Sequence, residues 1–156
     1  MMPEESLGRA LREHDFFQGF TAEQLADLAA IATEVAVEPR EMIFEEGGHA
    51  DAAFAIVDGS VALEMNVAHR AQHIVQTLHR GEMLGWGWLF PPHRWAFSAF
   101  SLDTTHLIRF EADQLRALQE EDCALGFEMM RRFARVMTDR LAATRLQLVD
   151  FYADRY

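Results

Sequence analysis

Gly81-Glu82-Met83-Leu84-Gly85-Trp86-Gly87-Trp88-Leu89-Phe90-Pro91-Pro92-His93-Arg94-Trp95-Ala96-Phe97-Ser98-Ala99 decides how the rest of the chain is read. Three glycines and a Pro-Pro pair break the stretch into turns, and all the tryptophans of the chain, Trp86, Trp88 and Trp95, fall inside it. Glycine admits backbone conformations that other residues resist, and proline interrupts regular structure because it has no N–H to donate. Indole faces gathered in such a loop either stack on a flat ligand or fill the space themselves.

On both sides of this stretch the chain reads as short apolar runs separated by turn residues. Runs at 42–44, 53–57, 60–65, 72–78, 96–102 and 106–110 carry strand character, with Gly47-Gly48, Asp58-Gly59, Arg80-Gly81 and Asp103 between them. Asp58-Gly59 joins two apolar runs directly, and both residue types tolerate positive φ, the signature of a tight hairpin. Strands this short and this closely spaced predict a closed or sandwiched antiparallel structure.

The flanks are helical. Thr21 with Gln24 three residues on forms a capping box, and Leu25, Leu28, Ile31 and Ala32 recur at helical spacing, which predicts a helix over 22–33. Phe16, Phe17 and Phe20 make an apolar entry to it, and Pro39 closes the section. After the last strand, 112–118 reads as a short helix. A long one runs from Cys123 to about Tyr152, roughly 45 Å at about 1.5 Å per residue. The expected organisation is one domain over 1–156: a helical segment at 14–38, a β-roll at 40–110 containing the 81–99 stretch, and C-terminal helices at 111–156.

Composition narrows the function. The chain has 156 residues, half of them hydrophobic, and a net charge of −11. Residues 1–121 hold 20 acids against 8 arginines, while residues 122–156 hold 5 acids and 6 arginines; there is no lysine. A field this acidic repels polyanions, so DNA is not an expected partner. No apolar run reaches the roughly 20 residues of a membrane span, and the N-terminus lacks the pattern of a secretory signal. A single cysteine, Cys123, makes no internal disulfide, which fits a cytoplasmic protein.

The order of helix, β-roll and long terminal helix resembles the effector domain of Crp/Fnr-type regulators, the cyclic-nucleotide-binding fold. Ile43–Asp51 is similar to that family's early strand and glycine turn. Phe54–Val61 is similar to its next hairpin, 81–99 to its phosphate-binding cassette, and 105–118 to its closing strand and short helix. The resemblance implies a mainly β protein with flanking helices, an antiparallel β-roll or jelly roll (double-stranded β-helix) with an N-terminal helix and a long C-terminal dimerisation helix. It also implies a very short helix after Gly85. It implies a ligand site built from Gly81, Glu82, Leu84, Gly85, Trp86, Gly87, Trp88, Arg94, Trp95, Phe97, Ser98 and Ala99. No cofactor follows from the residues themselves; a cyclic nucleotide is the small-molecule ligand the resemblance leaves open.

Two departures shape the functional expectation. The chain ends at Tyr156, where family regulators continue into a DNA-reading helix-turn-helix. The cassette positions that carry a glutamate and an arginine in the family hold Trp86 and Phe97 here. A buried cyclic phosphate needs paired charge or several directed N–H donors, which leaves backbone donors near Gly87 and Arg94 as substitutes. The expectation is a non-catalytic ligand-sensing or regulatory module acting through a partner protein. The alternatives are a cyclic AMP or GMP sensor using Arg94, a structural dimer with a tryptophan-filled pocket, and a cupin-like metalloenzyme.

Remaining motifs were weighed against plain structural roles. Met130, Ala134, Met137, Leu141, Thr144, Leu148 and Phe151 alternate at four and three, a heptad seam for homodimerisation; Thr144, beside Arg140 and Arg145, is a candidate for setting register. Arg131, Arg132 and Arg135 read as surface paired with Glu128 and Asp139. Metal-binding cupins carry a His-x-His pair that is missing here. His69 and His73 lie about 13 Å apart if extended, too far to share one ion. His14, His49, His79, His93 and His106 are expected at the surface or in local hydrogen bonds. Ser60, Ser98 and Ser101 sit in no nucleophile elbow.

Overall fold

The computed structural model describes residues 4–66 and 73–155, with Glu4 described in its backbone only. Helix α1 (Glu4–Glu13) leads through a 3-10 turn (Asp15–Phe17) to α2 (Ala22–Ala30). Eight strands follow: β1 (Ala32–Val37), β2 (Met42–Phe44), β3 (Ala52–Asp58), β4 (Ser60–Met65), β5 (His73–His79), β6 (Met83–Leu84), β7 (Ser98–Ser101) and β8 (Thr105–Glu111). Helices α3 (Ala112–Glu121) and α4 (Cys123–Ala153) close the chain. The strands form two four-stranded antiparallel sheets, β1-β8-β3-β6 and β2-β7-β4-β5, so the expected mainly β roll with flanking helices is the fold observed.

Local chemistry accounts for most element boundaries. The Thr21 hydroxyl accepts from the Gln24 N–H at 3.1 Å while the Gln24 side chain accepts from the Thr21 N–H at 3.0 Å, the reciprocal capping box expected. Gly59 takes φ +94 in the β3–β4 hairpin, and a Cβ there would meet the Thr105 Oγ1 at 2.6 Å. The Asp122 carboxylate caps α4 by accepting from the Leu125 N–H at 3.1 Å.

Three expectations are corrected. The helix predicted over 22–33 stops at Ala30, because Ala32–Val37 pair residue by residue with β8 from Ala32↔Phe110 to Val37↔Thr105. Ladder pairing supplied from across the sheet outweighs the helical spacing of Ile31 and Ala32. A further helix, α1, precedes the 14–38 segment, its Leu11 fully buried. His14 is neither superficial nor bonded only locally: it is 5 % exposed, its Nε2 donates to the Ile56 carbonyl at 3.0 Å, and its Nδ1 accepts from the Phe16 N–H at 3.2 Å. Burial lowers the His14 pKa from its ordinary value, with the Ile56 carbonyl and Asp15 opposing. The expected strand 72–78 begins outside the described residues, as does His69.

The core runs continuously from the roll to α4. Phe133 of α4 lies 4.9 Å from the Phe16 ring and 5.7 Å, edge-on, from Trp88. Met129 and Leu125, one and two turns earlier, are buried on the same face. Farther along, the Gln147 side-chain amide donates to the Val75 carbonyl at 3.3 Å. Val75 is the residue skipped where the β4–β5 register shifts.

Candidate functional site

The turn following β6 is shaped by glycines whose missing side chains are required. Gly85 has φ +92, and a Cβ on it would sit 2.7 Å from Cζ3 of Trp95. A Cβ on Gly87 would sit 2.6 Å from the Arg94 carbonyl oxygen. The loop therefore folds back on itself, and β-type contacts tie it to the 47–50 segment. Gly47 N–H donates to Trp95 O at 2.8 Å, Trp95 N–H to Gly48 O at 2.9 Å and Ala50 N–H to His93 O at 2.7 Å.

No helix follows Gly85. Residues 87–92 form successive turns, with Leu89 N–H donating to Trp86 O at 3.0 Å, His93 N–H donating to Phe90 O at 2.9 Å, and a cis Pro91–Pro92 peptide. The two prolines supply no N–H, and the residue before a proline is biased away from the α region, so a helix cannot propagate there. The anion-binding helix terminus expected near Gly87 is accordingly missing.

A hollow of about 240 Å³ lies against this loop. Of the residues expected at a ligand site, Gly85, Trp86, Gly87, Arg94, Trp95 and Phe97 line it. The others do not. Gly81 donates its N–H to Ile56 O, the Glu82 carboxylate turns back to accept from the His79 N–H at 2.6 Å, and Leu84 is buried in β6. Trp88 is wholly buried toward Phe133, its indole N–H on Gly85 O at 3.2 Å. Ser98 and Ala99 are buried in β7, the Ser98 hydroxyl accepting from the Glu46 N–H at 2.9 Å.

The hollow's walls are largely aromatic, and the two cations on them, Arg94 and Arg140, are engaged with backbone carbonyls. Trp95 is 5 % exposed and stacks on Phe44 with centroids 3.9 Å apart and planes within 11°. Phe44 in turn stacks on Phe54 at 6.1 Å. Arg94 is exposed and aims a guanidinium N–H at the Gly47 carbonyl at 3.4 Å. Arg140 of α4 supplies the second cation. Its guanidinium lies 4.3 Å above the Trp86 ring and donates to the Met83 carbonyl at 2.5 Å. Burial pushes its pKa down to about 10, with Glu82 opposing, so it stays charged at neutral pH. Phe44, Leu63 and Arg140 were not foreseen as lining residues; Arg140 stood out only as a neighbour of Thr144. The Thr144 hydroxyl donates to its own helix at Arg140 O, 2.9 Å away, while the Arg140 side chain turns to the loop.

The remaining candidates stay apart from the hollow. The seam residues Met130, Ala134, Leu141, Thr144, Leu148 and Phe151 are exposed, and Met137 is half-buried. Glu128 pairs with Arg131 at 3.0 Å and Arg132 at 3.4 Å, but Arg135 and Asp139 form no ion pair among the described residues, contrary to expectation. No group of three potential metal ligands occurs among the described residues, and none of their helices is long and apolar enough to cross a membrane.

Comparison with known proteins then identifies the architecture. The cyclic nucleotide-binding domain family matches residues 34–122, more than half of the chain. The chain belongs to this family. Among solved structures, one described as a cyclic nucleotide-binding protein from Geobacter metallireducens is 27% identical, with a TM-score of 0.74 over 90% of this chain and 99% of that one. A cyclic nucleotide-binding domain from Methylobacillus flagellatus superposes with a TM-score of 0.80 at 16% identity, over 94% of this chain and 83% of its own. The regulatory domain of Toxoplasma gondii PKA, in co-crystal with cAMP, shares the fold at a TM-score of 0.64 and 18% identity, over 73% of this chain and 43% of that one. No curated protein matches. The family is one of regulatory nucleotide-binding domains, and the fold is that of the Crp-like regulators.

Proposed function

We propose that this chain is a non-catalytic regulatory module whose cassette is occupied by its own side chains and whose output passes to protein partners through α4. The observation that carries this reading is the Trp95–Phe44 stack laid over Gly85, where a Cβ would already collide with the indole. The hollow left beside it, about 240 Å³, falls below the roughly 300–1,000 Å³ of ordinary small-molecule sites. Trp86 and Phe97 stand where the family resemblance implies a glutamate and an arginine, and the nearest loop cation, Arg94, is engaged with Gly47 O. A cyclic phosphate placed here gains the paired charge its burial demands only by drawing Arg94 from Gly47 O and Arg140 from Met83 O and the Trp86 face.

The output surface is the exposed seam of α4. A second copy of the chain would bury Leu141, Leu148 and Phe151, each more than half exposed in the single chain. Homodimerisation through this helix, with a further protein partner and a cytoplasmic setting, completes the reading.

Calorimetric titration of the purified protein with cyclic AMP and cyclic GMP tests it. No saturable heat and no thermal stabilisation are expected. Micromolar binding abolished by Arg94→Ala would overturn the reading and make Arg94 the phosphate clamp.

A further inference from the structure

Four of the chain's arginines, Arg131, Arg132, Arg135 and Arg140, come together on α4 beside a cleft separate from the hollow at the tryptophan loop. A cleft of about 540 Å³ opens between α4 and the β5–β6 turn, lined by four guanidinia and three carboxylates. Its volume falls within the roughly 300–1,000 Å³ typical of small-molecule sites.

The arginines are placed unequally. Arg132 is committed: it donates to Phe16 O, pairs with Glu128 and lies 4.3 Å over the Phe20 ring. Arg131 is held by Glu128 at 3.0 Å yet keeps a largely exposed side chain. Arg135, one turn on, forms no hydrogen bond or ion pair among the described residues, and neither does Asp139. Like charges four apart on a helix repel, so Arg131 and Arg135 gain from an anion placed between them. Two guanidinium forks one turn apart match the oxygens of a phosphate. Acceptors border the same cleft, one from the facing side and one from α4 itself. The Asp15 carboxylate packs against Gly81, where a Cβ would come within 2.5 Å of Oδ2, and Asp139 borders the same space.

We propose that this cleft is a second ligand site, one that takes a small phosphate monoester whose remainder carries hydroxyl or amine donors. The phosphate sits on Arg131 and Arg135, and the donors face Asp15 and Asp139. The site shares no phosphate contact with the cassette loop, so it stands whether or not the cassette binds a cyclic nucleotide.

Titration calorimetry of the full chain at about 0.15 M salt, where surface charge is screened beyond about 8 Å, uses adenosine 5′-monophosphate, ribose 5-phosphate and inorganic phosphate as probes. Saturable binding of the first two is expected. Arg135→Ala weakens it about tenfold or more, the loss of one charge-assisted hydrogen bond, without lowering the melting temperature, because Arg135 is exposed and unbonded. Arg94→Ala leaves it unchanged. No saturable binding, or binding indifferent to Arg135→Ala, overturns the site. Equal affinity for inorganic phosphate overturns the role given to the carboxylates. Binding lost in Arg94→Ala and kept in Arg135→Ala assigns the ligand to the cassette instead and sinks the cleft.

Discussion

Replacing Trp95 with alanine separates a side chain that is core from one that awaits a ligand. The indole is 5 % exposed and stacked on Phe44 at 3.9 Å. Burying a tryptophan removes about 200 Å² from water, worth about 5 kcal/mol at about 25 cal/mol/Å². That figure is an upper bound, because unfolded chains already hide part of their apolar surface. Truncations of this size in well-packed cores cost about 3–5 kcal/mol. At about 2–4 °C per kcal/mol for a domain of this length, the melting temperature should fall by about 10 °C. Urea denaturation should show a lower midpoint with an unchanged slope. A companion substitution sharpens the test. Gly85→Ala meets both the φ of +92 and the indole at 2.7 Å. Removing that indole relieves the clash but not the backbone strain. Gly85→Ala and Trp95→Ala should therefore cost less together than the sum of the two, by about 0.5–3 kcal/mol. A Trp95→Ala loss within about 0.5 kcal/mol, the range of surface substitutions, or strict additivity with Gly85→Ala, would refute a self-filled cassette.

Three further outcomes follow from the same geometry. Arg140→Met removes the donor to Met83 O and the cation above Trp86, and should cost about 1–3 kcal/mol; amide exchange should quicken in α4 beyond Val136 while Phe133 stays protected. If the proposed dimer forms through the exposed seam, sedimentation equilibrium should show the parent chain dimeric and the Leu141→Glu, Leu148→Glu variant monomeric at the same concentration with the fold intact; a monomeric parent would refute the seam. His14 has a folded pKa below its ordinary value of 6.5, so the unfolded chain binds the extra proton first. Stability should thus be full above about pH 7 and decline as pH falls through 6.5 toward the lowered value. In His14→Gln that slope should flatten, and a slope identical to the parent's would refute the assignment.

Residues whose role is set by their immediate neighbours were readable in advance. Asp58-Gly59 marks the β3–β4 hairpin, Thr21 and Gln24 mark the start of α2, and β4 occupies the whole of its predicted run, because each depends on contacts within a few residues. β1 was not readable. The helical spacing of Leu25, Leu28, Ile31 and Ala32 runs into its first residue, and pairing with β8, some seventy positions later, makes all six a strand. α1 carried a signal that went unused, since Leu7, Ala10 and Leu11 fall at helical spacing. At the hollow, Gly85, Gly87, Trp86 and Trp95 lie where the loop's sequence pointed, Gly81 and Trp88 do not, and Arg140 was not foreseen. A guanidinium's target depends on where its helix lies over the sheet, and spacing along one helix is silent on that.

The Gln147–Val75 contact has a consequence for the protein's solution behaviour. β5 is the outer strand of its sheet, and its bulged residue offers its carbonyl to α4 rather than to another strand. The helix thereby touches one point of a seven-residue edge whose Ile74 is exposed, an edge of the kind that can template strand addition between molecules. A motion of α4 that breaks this contact frees the Val75 carbonyl, so the bulge and its one hydrogen bond to the helix are what interrupt the edge's readiness to pair with another molecule.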